Sequence, residues 1–282
     1  MEYNKKLTII IISYKSEKKI NNFIKKIPKD IKVIIIENSN NLQLKKNIEK
    51  KYKNIKVFIK TNDGVAASIN YAVKRIKTKY LLQISPDILF NFKQLNIFFK
   101  IAKKLNDKFS ALGPRFLNVE SKSHRQIKSN IDVGSINSVH GSLMFINKKR
   151  FKEIGGFDQR FFLYFEETDY CKRALDIGLR AYQINNIKVK TQGRTVQISN
   201  KKEKNKLSNL LAWHFIWSKY HFTKKNYGSM ISIIIFIPTL LRSIFKISYY
   251  KLIKNKKLLD KYNHRINGLI TSITNKSSYL RP

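Results

Sequence analysis

Leu7 to Tyr14, LTIIIISY, is the stretch whose reading decides the fold. From Leu7 to Ile12 the chain is an almost unbroken β-branched and apolar run, as a parallel strand buried on both faces requires; a strand wetted on one face would alternate. Beyond it, Ile20, Phe23, Ile24 and Ile27 fall at i, i+3, i+4 and i+7, one stripe of an amphipathic helix that Pro28 ends. Val33 to Ile36 repeats the buried-strand signature and stops at Glu37-Asn38-Ser39. A polar helix over residues 42–52 and a strand at Val57 to Ile59 follow. Thr61-Asn62-Asp63-Gly64 then opens a helix with Val65, Ile69, Ala72, Val73 and Ile76 on one face, and the strand Tyr80 to Ile84 ends at Ser85-Pro86-Asp87. A helix around 91–105 and a short strand near 109–112 complete the expected pattern.

Such alternation implies an α/β fold: a Rossmann-like, mostly parallel sheet with helices on both faces and right-handed crossovers. Ligands in such sheets bind at the carboxyl ends of the strands. That rule selects Ser13 and Tyr14, then Glu37-Asn38-Ser39, then Asn62-Asp63-Gly64, then Asp87. Each group alone is explained by a turn or a helix cap. Their recurrence at four successive strand ends points instead to one ligand site.

A second feature lies between His140 and Arg173. Glu166, Glu167 and Asp169 crowd into four positions of a chain with 18 acidic against 57 basic residues, directly after Phe161, Phe162, Tyr164 and Phe165. Acids in a first helical turn are favoured by the helix dipole, and Asp169 stands four before Arg173, the spacing of an intrahelical pair. Capping does not require two consecutive acids beside an aromatic run, so Glu166 and Glu167 call for chemistry. The aromatics read first as core and second as a sugar platform. His140 has no second His or Cys at metal-ligand spacing.

The 282 residues, 43% hydrophobic, suffice for one sizeable core plus an appended helical region. The formal charge of +39 suggests a polyanionic partner. Lysine recurs almost everywhere, as under a compositional bias, so no nucleic-acid partner is expected; an anionic membrane surface is the partner that the charge fits. Cys171 is the only cysteine, which excludes an intrachain disulfide framework and fits a reducing compartment. The N-terminal apolar run lacks a cleavage signature and reads as a strand, implying a cytoplasmic chain. Two domains are expected: residues 1–200, catalytic, and residues 201–282, basic and helical. Within the second, GSMISIIIFIPTLL (228–241) holds Pro238 and is shorter than the roughly 20 residues needed to cross a bilayer. Flanked by Lys, Arg, Tyr and Trp, it reads as an interfacial helix, placing the protein peripherally at the inner face of the cell membrane.

The segments IIIISYKS, VIIIENSNN, NDGVAASIN, LLQISPD and GSLMFINKKRFKEIGGFDQRFFLYFEETDYCKRALDIG together resemble the family 2 glycosyltransferases, over roughly residues 7–195. The likeness is greatest to the rhamnosyltransferase-like branch that builds surface polysaccharides. The resemblance implies a GT-A fold, a nucleotide-diphosphate sugar donor, a divalent metal (Mg²⁺ or Mn²⁺), and inverting transfer of a hexose-type sugar to a saccharide or lipid-linked acceptor. It puts Ser13, Tyr14 and Glu37 on the donor's base and ribose, and Asn62, Gly64 and Asn70 in the N-x-G motif and its following Asn; Asn38, from the strand-end cluster, is counted among the donor-binding residues. It makes Asp87 the metal ligand and Glu167, then Glu166, the base, with Asp169 closing the acidic motif. Three departures stand out: Glu37 and Glu167 each replace an Asp, the metal motif is Ser85-Pro86-Asp87, and residues 189–195 (VKTQGRT) lack the His that many relatives carry. Two other classes share parts of this pattern. A nucleotidyltransferase would want a glycine-rich loop after the first strand, where SYKSEKK has none, and a non-catalytic polyanion-binding protein is suggested by charge alone.

Overall fold

The structure is a computed structural model and describes residues 3–118, 126–193, 196, 198 and 200–282. The chain forms two compact units, Met1–Asp158 with Glu167–Gln197, and Gln159–Glu166 with Ile198–Pro282. Residues 159–166, read from sequence inside the first domain, thus group with the C-terminal helices.

In the first unit, β1 (Leu7–Ser13), α1 (Glu17–Ile24), β2 (Lys32–Glu37), α2 (Leu42–Lys51), β3 (Ile55–Ile59), α3 (Val65–Val73) and β4 (Tyr80–Ile84) follow the expected alternation. After them come β5 (Ile88–Leu89), α4 (Leu95–Lys104), β6 (Leu112–Phe116), β7 (Val133–Ile136), β8 (Leu143–Asn147), α5 (Lys148–Glu153), α6 (Glu166–Asp176) and β9 (Ala181–Thr191). Among the described residues nine strands form one sheet in the order β3-β2-β1-β4-β8-β6-β9-β5, with β7 on β9. β1 pairs in parallel with β2 and β4, and β2 with β3.

The register shows why the opening run is unbroken. Ile9 and Ile11 point into a core with Phe23, Ile24 and Leu44, while Ile10 joins a second core with Ile34, Ile69 and Tyr170 across the sheet. Each isoleucine fully withdrawn from water contributes ~1.5–3 kcal/mol, so a polar residue at Ile9, Ile10 or Ile11 would cost one core or the other.

Two expectations need correction. The strand expected near 109–112 runs from Leu112 to Phe116, through Gly113-Pro114. Proline is tolerated because the β6–β9 ladder shifts register between Pro114 and Arg115, where a missing N–H leaves no regular partner unpaired. The antiparallel strand β8, inserted between β4 and β6, is not legible in the alternation at all. It matters for function: running against β4 with Ile84 opposite Leu143, it brings residues 140–142 to β4's carboxyl end.

The second unit is helical: α7 (Lys201–Tyr227), α8 (Ser229–Leu252) and α9 (Lys256–Ile273). Ile216, Tyr220, Phe236 and Leu269 make its core. The short apolar run expected over 228–241 is in fact part of a 24-residue helix, about 36 Å long. Pro238 forfeits one backbone hydrogen bond, and apolar residues resume at helical spacing beyond it. By length and composition α8 is sufficient to cross a membrane.

Candidate active site

The strand ends are built by local hydrogen bonding. Glu37, the last residue of β2, is buried, and its carboxylate is shared: Ser13 Oγ donates to Oε2, while Ser39 donates to Oε1 from its hydroxyl and, at 2.6 Å, from its backbone N–H. The Asn38 N–H donates to Ser13 O at 2.8 Å, and Lys15 N–H to Ser39 Oγ at 3.1 Å. One carboxylate therefore fixes the two loops leaving β1 and β2, with half-buried Tyr14 between them. The Asn38 amide nitrogen donates to Ser68 Oγ at 2.8 Å, and Ser68 Oγ donates to Gly64 O at 2.8 Å, tying β2's end to the first turn of α3. Asn38 Oδ1 is buried and finds no hydrogen-bond partner among the described residues.

Gly64 caps α3 with φ of +95°, a backbone region that L-residues with a β-carbon disfavour. Asn62 accepts the Gly64 N–H at 3.4 Å and stays half-buried in the same loop. Asn70, matched by resemblance to a donor residue, has a different occupation here. Its amide nitrogen donates to Phe157 O at 2.7 Å, and its oxygen accepts the Phe157 N–H at 3.0 Å. Both ends of the side chain hold the chain just after the Gly155-Gly156 turn.

At β4's end, buried Asp87 accepts the Thr191 hydroxyl at 2.5 Å, and its carbonyl accepts the Gln192 N–H at 2.8 Å. Ile88 pairs with Thr191, so β5 and β9 hold this corner. Thr191 and Gln192 come from the run in which relatives carry a His; its Arg194 and Thr195 lie outside the described residues. Ser85 N–H donates to Ser142 O at 2.8 Å, and the Gln83 amide donates to Gly141 O at 2.5 Å, so the 140–142 turn is bonded to the strand that leads into Asp87.

That same turn meets the acidic helix. A methyl group on Gly141 would stand 3.5 Å from Glu167 Cγ and Cδ, so the turn's backbone lies against the carboxyl group. Asp87 and Glu167, 80 positions apart, are thereby both linked to one three-residue turn, Asp87 through Gln83 and Ser85 of the strand end that precedes it. Glu167 is 9% exposed, and burial raises its proton affinity above that of an ordinary glutamate. The Thr168 hydroxyl donates to its Oε1 at 3.3 Å. Glu166, also buried, is the first residue of α6. The two residues before it, Tyr164 and Phe165, both hold positive φ, +68° and +69°. Two consecutive side-chain-bearing residues in this region carry strain of ~1–3 kcal/mol each, and such strain concentrates at functional sites.

Asp169 is committed elsewhere. It is 0% exposed and accepts from Arg173 Nε at 2.8 Å, while that guanidinium also donates to Ile154 O and, at 2.6 Å, to Gly156 O. The pair braces α6 against the glycine turn, the pairing that the spacing suggests. Cys171 lies buried on the same helix, its thiol pushed up to about 12 by desolvation and hence protonated. His140 Nδ1 faces the Ser142 hydroxyl at 2.7 Å, with its ring 4.6 Å from that of Phe116.

Thr191, Gly141, Ser142 and Gln83 were not singled out from sequence. Only the position of Thr191 in the 189–195 run hinted at a role. A large cleft of about 1400 Å³, lined by eight lysines and Arg75, opens at the opposite ends of the strands, near Thr8 and Asn54. None of the strand-end residues described above lines it.

Residues 8–171 match the family described as Glycosyl transferase family 2, and the chain belongs to it. It is 24% identical over 190 residues to the low-salt glycan biosynthesis hexosyltransferase Agl10 of Haloferax volcanii, a match spanning 60% of this chain and 61% of that relative. Among solved structures, it is similar to the mannosyltransferase PcManGT from Pyrobaculum calidifontis in complex with GDP-Man and Mn²⁺, at TM-score 0.56 and 14% identity, covering 96% of this chain and 88% of that one. It is also similar to S. aureus TarS 1-349 in complex with UDP-GlcNAc, at TM-score 0.55 and 14% identity, covering 98% and 93%. At these identities the likeness to the two structures concerns the fold.

Proposed function

We propose that the protein is an inverting glycosyltransferase. It moves a hexose-type sugar, rhamnose or a close relative, from a nucleotide-diphosphate donor to a saccharide or lipid-linked acceptor in surface polysaccharide synthesis. The observation that carries this reading is the 140–142 turn, bonded to the strand leading into Asp87 on one side and packed against Glu167 on the other.

The donor's base and ribose lie over Ser13, Tyr14 and Asn38, in loops that Glu37 holds from below; the buried Asn38 oxygen has acceptor capacity for a donor N–H. Asn62 and Gly64 let backbone approach the nucleotide closely. Glu167 takes the proton of the acceptor hydroxyl as its oxygen bonds the anomeric carbon from the face opposite the departing nucleoside diphosphate. Its raised proton affinity makes it a stronger base than an ordinary glutamate. Glu166 is the alternative base.

The residues at β4's end fit a divalent metal in one form only. Among the described residues no three His, Cys, Asp or Glu side chains group as a cage. Asp87, buried and oriented by Thr191, supplies one carboxylate, which suits an Mg²⁺- or Mn²⁺-type ion completed by diphosphate oxygens and water. When bound, such an ion neutralises charge on the departing diphosphate. The similar structure that carries Mn²⁺ with GDP-Man supports this assignment.

Residues 1–200 are the catalytic segment and 201–282 an accessory region by which the enzyme sits peripherally on the anionic inner face of the membrane. Support comes from α8, whose Met230 is 79% and Phe245 66% exposed, in a chain of net charge +39. Incubation with a panel of nucleotide sugars and Mn²⁺, with product mass spectrometry, tests the function. Donor turnover and a thermal shift with UDP, dTDP or GDP are expected; neither occurring with any of them would overturn the reading.

A further inference from the structure

Gln83 is a polar side chain set into an apolar layer. It lies in β4 opposite Ile10 of β1 and Met144 of β8, and Leu81, two positions earlier, faces the same side of the sheet. Those three belong to the core that Tyr170, Cys171 and Ala174 of α6 cover. Gln83 itself is 7% exposed. The two ends of its amide are in different situations. Nε2 donates to Gly141 O at 2.5 Å, whereas Oε1 is buried and finds no hydrogen-bond partner among the described residues.

Stability does not account for a glutamine at this position. A buried acceptor without a donor costs about as much free energy as one hydrogen bond contributes, or more, so an apolar side chain of the same length would hold the layer at least as well. Such a side chain could not hold Gly141. The turn that Gln83 anchors also meets Glu167: a β-carbon on Gly141 would stand 3.5 Å from Glu167 Cδ and 3.6 Å from Oε2. Glu167 falls on the face of α6 that covers the layer, since Glu167, Tyr170, Cys171 and Ala174 are spaced i, i+3, i+4 and i+7. Gln83 and Glu167 thus reach one glycine, the first from the sheet and the second from the helix.

We propose that Gln83 is a positioning residue for the base: by fixing the Gly141 carbonyl it sets the backbone surface against which the Glu167 carboxyl group is held. The proposal rests on the reading of Glu167 as the base. Displacing a reacting oxygen by about 1 Å can cost ~100-fold in rate, so a partial loosening of this surface is felt in turnover before it is felt in stability.

Gln83→Met keeps the length of the side chain and cannot donate to Gly141. Release of nucleoside diphosphate from UDP-, dTDP- and GDP-sugars with Mn²⁺ is followed in the full chain, with kcat and donor KM separated. Gln83→Met is expected to lower kcat ~10-fold or more, with donor KM, the nucleotide thermal shift and Tm all held. Because the loss passes through Glu167, adding Gln83→Met to Glu167→Gln should lower kcat little further. Unchanged kcat in Gln83→Met would overturn the proposal, as would a loss that multiplies in full with that of Glu167→Gln. A parallel fall in Tm and in the nucleotide response would also overturn it, making Gln83 an ordinary core residue. The reading on which it rests fails differently: full turnover in Glu167→Gln removes Glu167 as the base and takes this proposal with it.

Discussion

Thr191 donates its hydroxyl to the Asp87 carboxylate at 2.5 Å, from a strand position 104 residues later in the chain. One carboxylate oxygen is thereby fixed in direction. If Asp87 holds the metal, Thr191 acts through it, and an outer partner of this kind is worth ~10–100-fold in metal affinity. Thr191→Val is therefore expected to raise the Mn²⁺ concentration needed for half-maximal donor turnover by about tenfold, and Asp87→Asn to abolish the dependence together with activity. Asp87→Asn titrating with Mn²⁺ like the parent would take the metal away from β4.

If Glu167 is the base, it couples function and stability with opposite signs. Burial raises its folded pKa above the unfolded value, so between the two the folded state binds more protons. Stability is then lost as pH rises through that window, and above it the ionised carboxylate is a net liability. Glu167→Gln should remove the liability and raise Tm at pH 7, while transfer falls ~100-fold or more for want of a base. In the parent, transfer should rise with pH through the same window, its acid limb lying above the usual glutamate range. Full turnover in Glu167→Gln would move the base to Glu166.

Gly156 and Asn70 form one structural device. Gly156 has φ of +69°, and a β-carbon there would stand 2.9 Å from Asn70 Oδ1. Gly156→Ala pays left-handed strain of ~1–2 kcal/mol and disturbs the double bond to Phe157, itself worth ~1–3 kcal/mol. A loss of ~2–4 kcal/mol in urea unfolding is expected. Because both act on the same bonds, Asn70→Ala with Gly156→Ala should cost less than the sum of the two. Strict additivity would separate them.

How much of this was legible follows from where each constraint resides. β1 to β4 and their helices were readable because each strand is buried on both faces and each helix carries one stripe, patterns written within ten residues. Strand-end polar groups followed from the rule for parallel sheets. What sequence hid were relations between distant segments: β8 running backwards beside β4, the Thr191–Asp87 bond, and the 140–142 turn against Glu167. Asn70 shows the complementary case. Its motif position matched a donor residue, yet Phe157, 87 positions later, occupies its amide. Asp169 was open between catalysis and pairing; Arg173 four positions on, together with complete burial, weights it toward pairing.

The last prediction concerns α8. Ser232, Phe236 and Ser243 form its buried stripe, and both serines return their hydroxyls to the helix's own turn, Ser232 to Gly228 O and Ser243 to Thr239 O, each at 2.7 Å. The opposite surface exposes Ile234, Leu241, Phe245 and Leu252, the last at 81%. So broad an apolar face is costly in water, and Arg242, Lys246 and Lys251 beside it match anionic headgroups. Sedimentation with phosphatidylglycerol vesicles should persist in part at high salt, where purely coulombic adhesion is screened. Ile234→Lys with Phe245→Lys keeps the basic charge and removes two apolar anchors, each worth ~1.5–3 kcal/mol when buried. The pair is expected to cut the salt-resistant fraction at least ~10-fold, by the same burial free energy. Binding that vanishes entirely with salt in the parent, or that survives unchanged in the double variant, would leave charge alone as the attraction and return α8 to a role in packing.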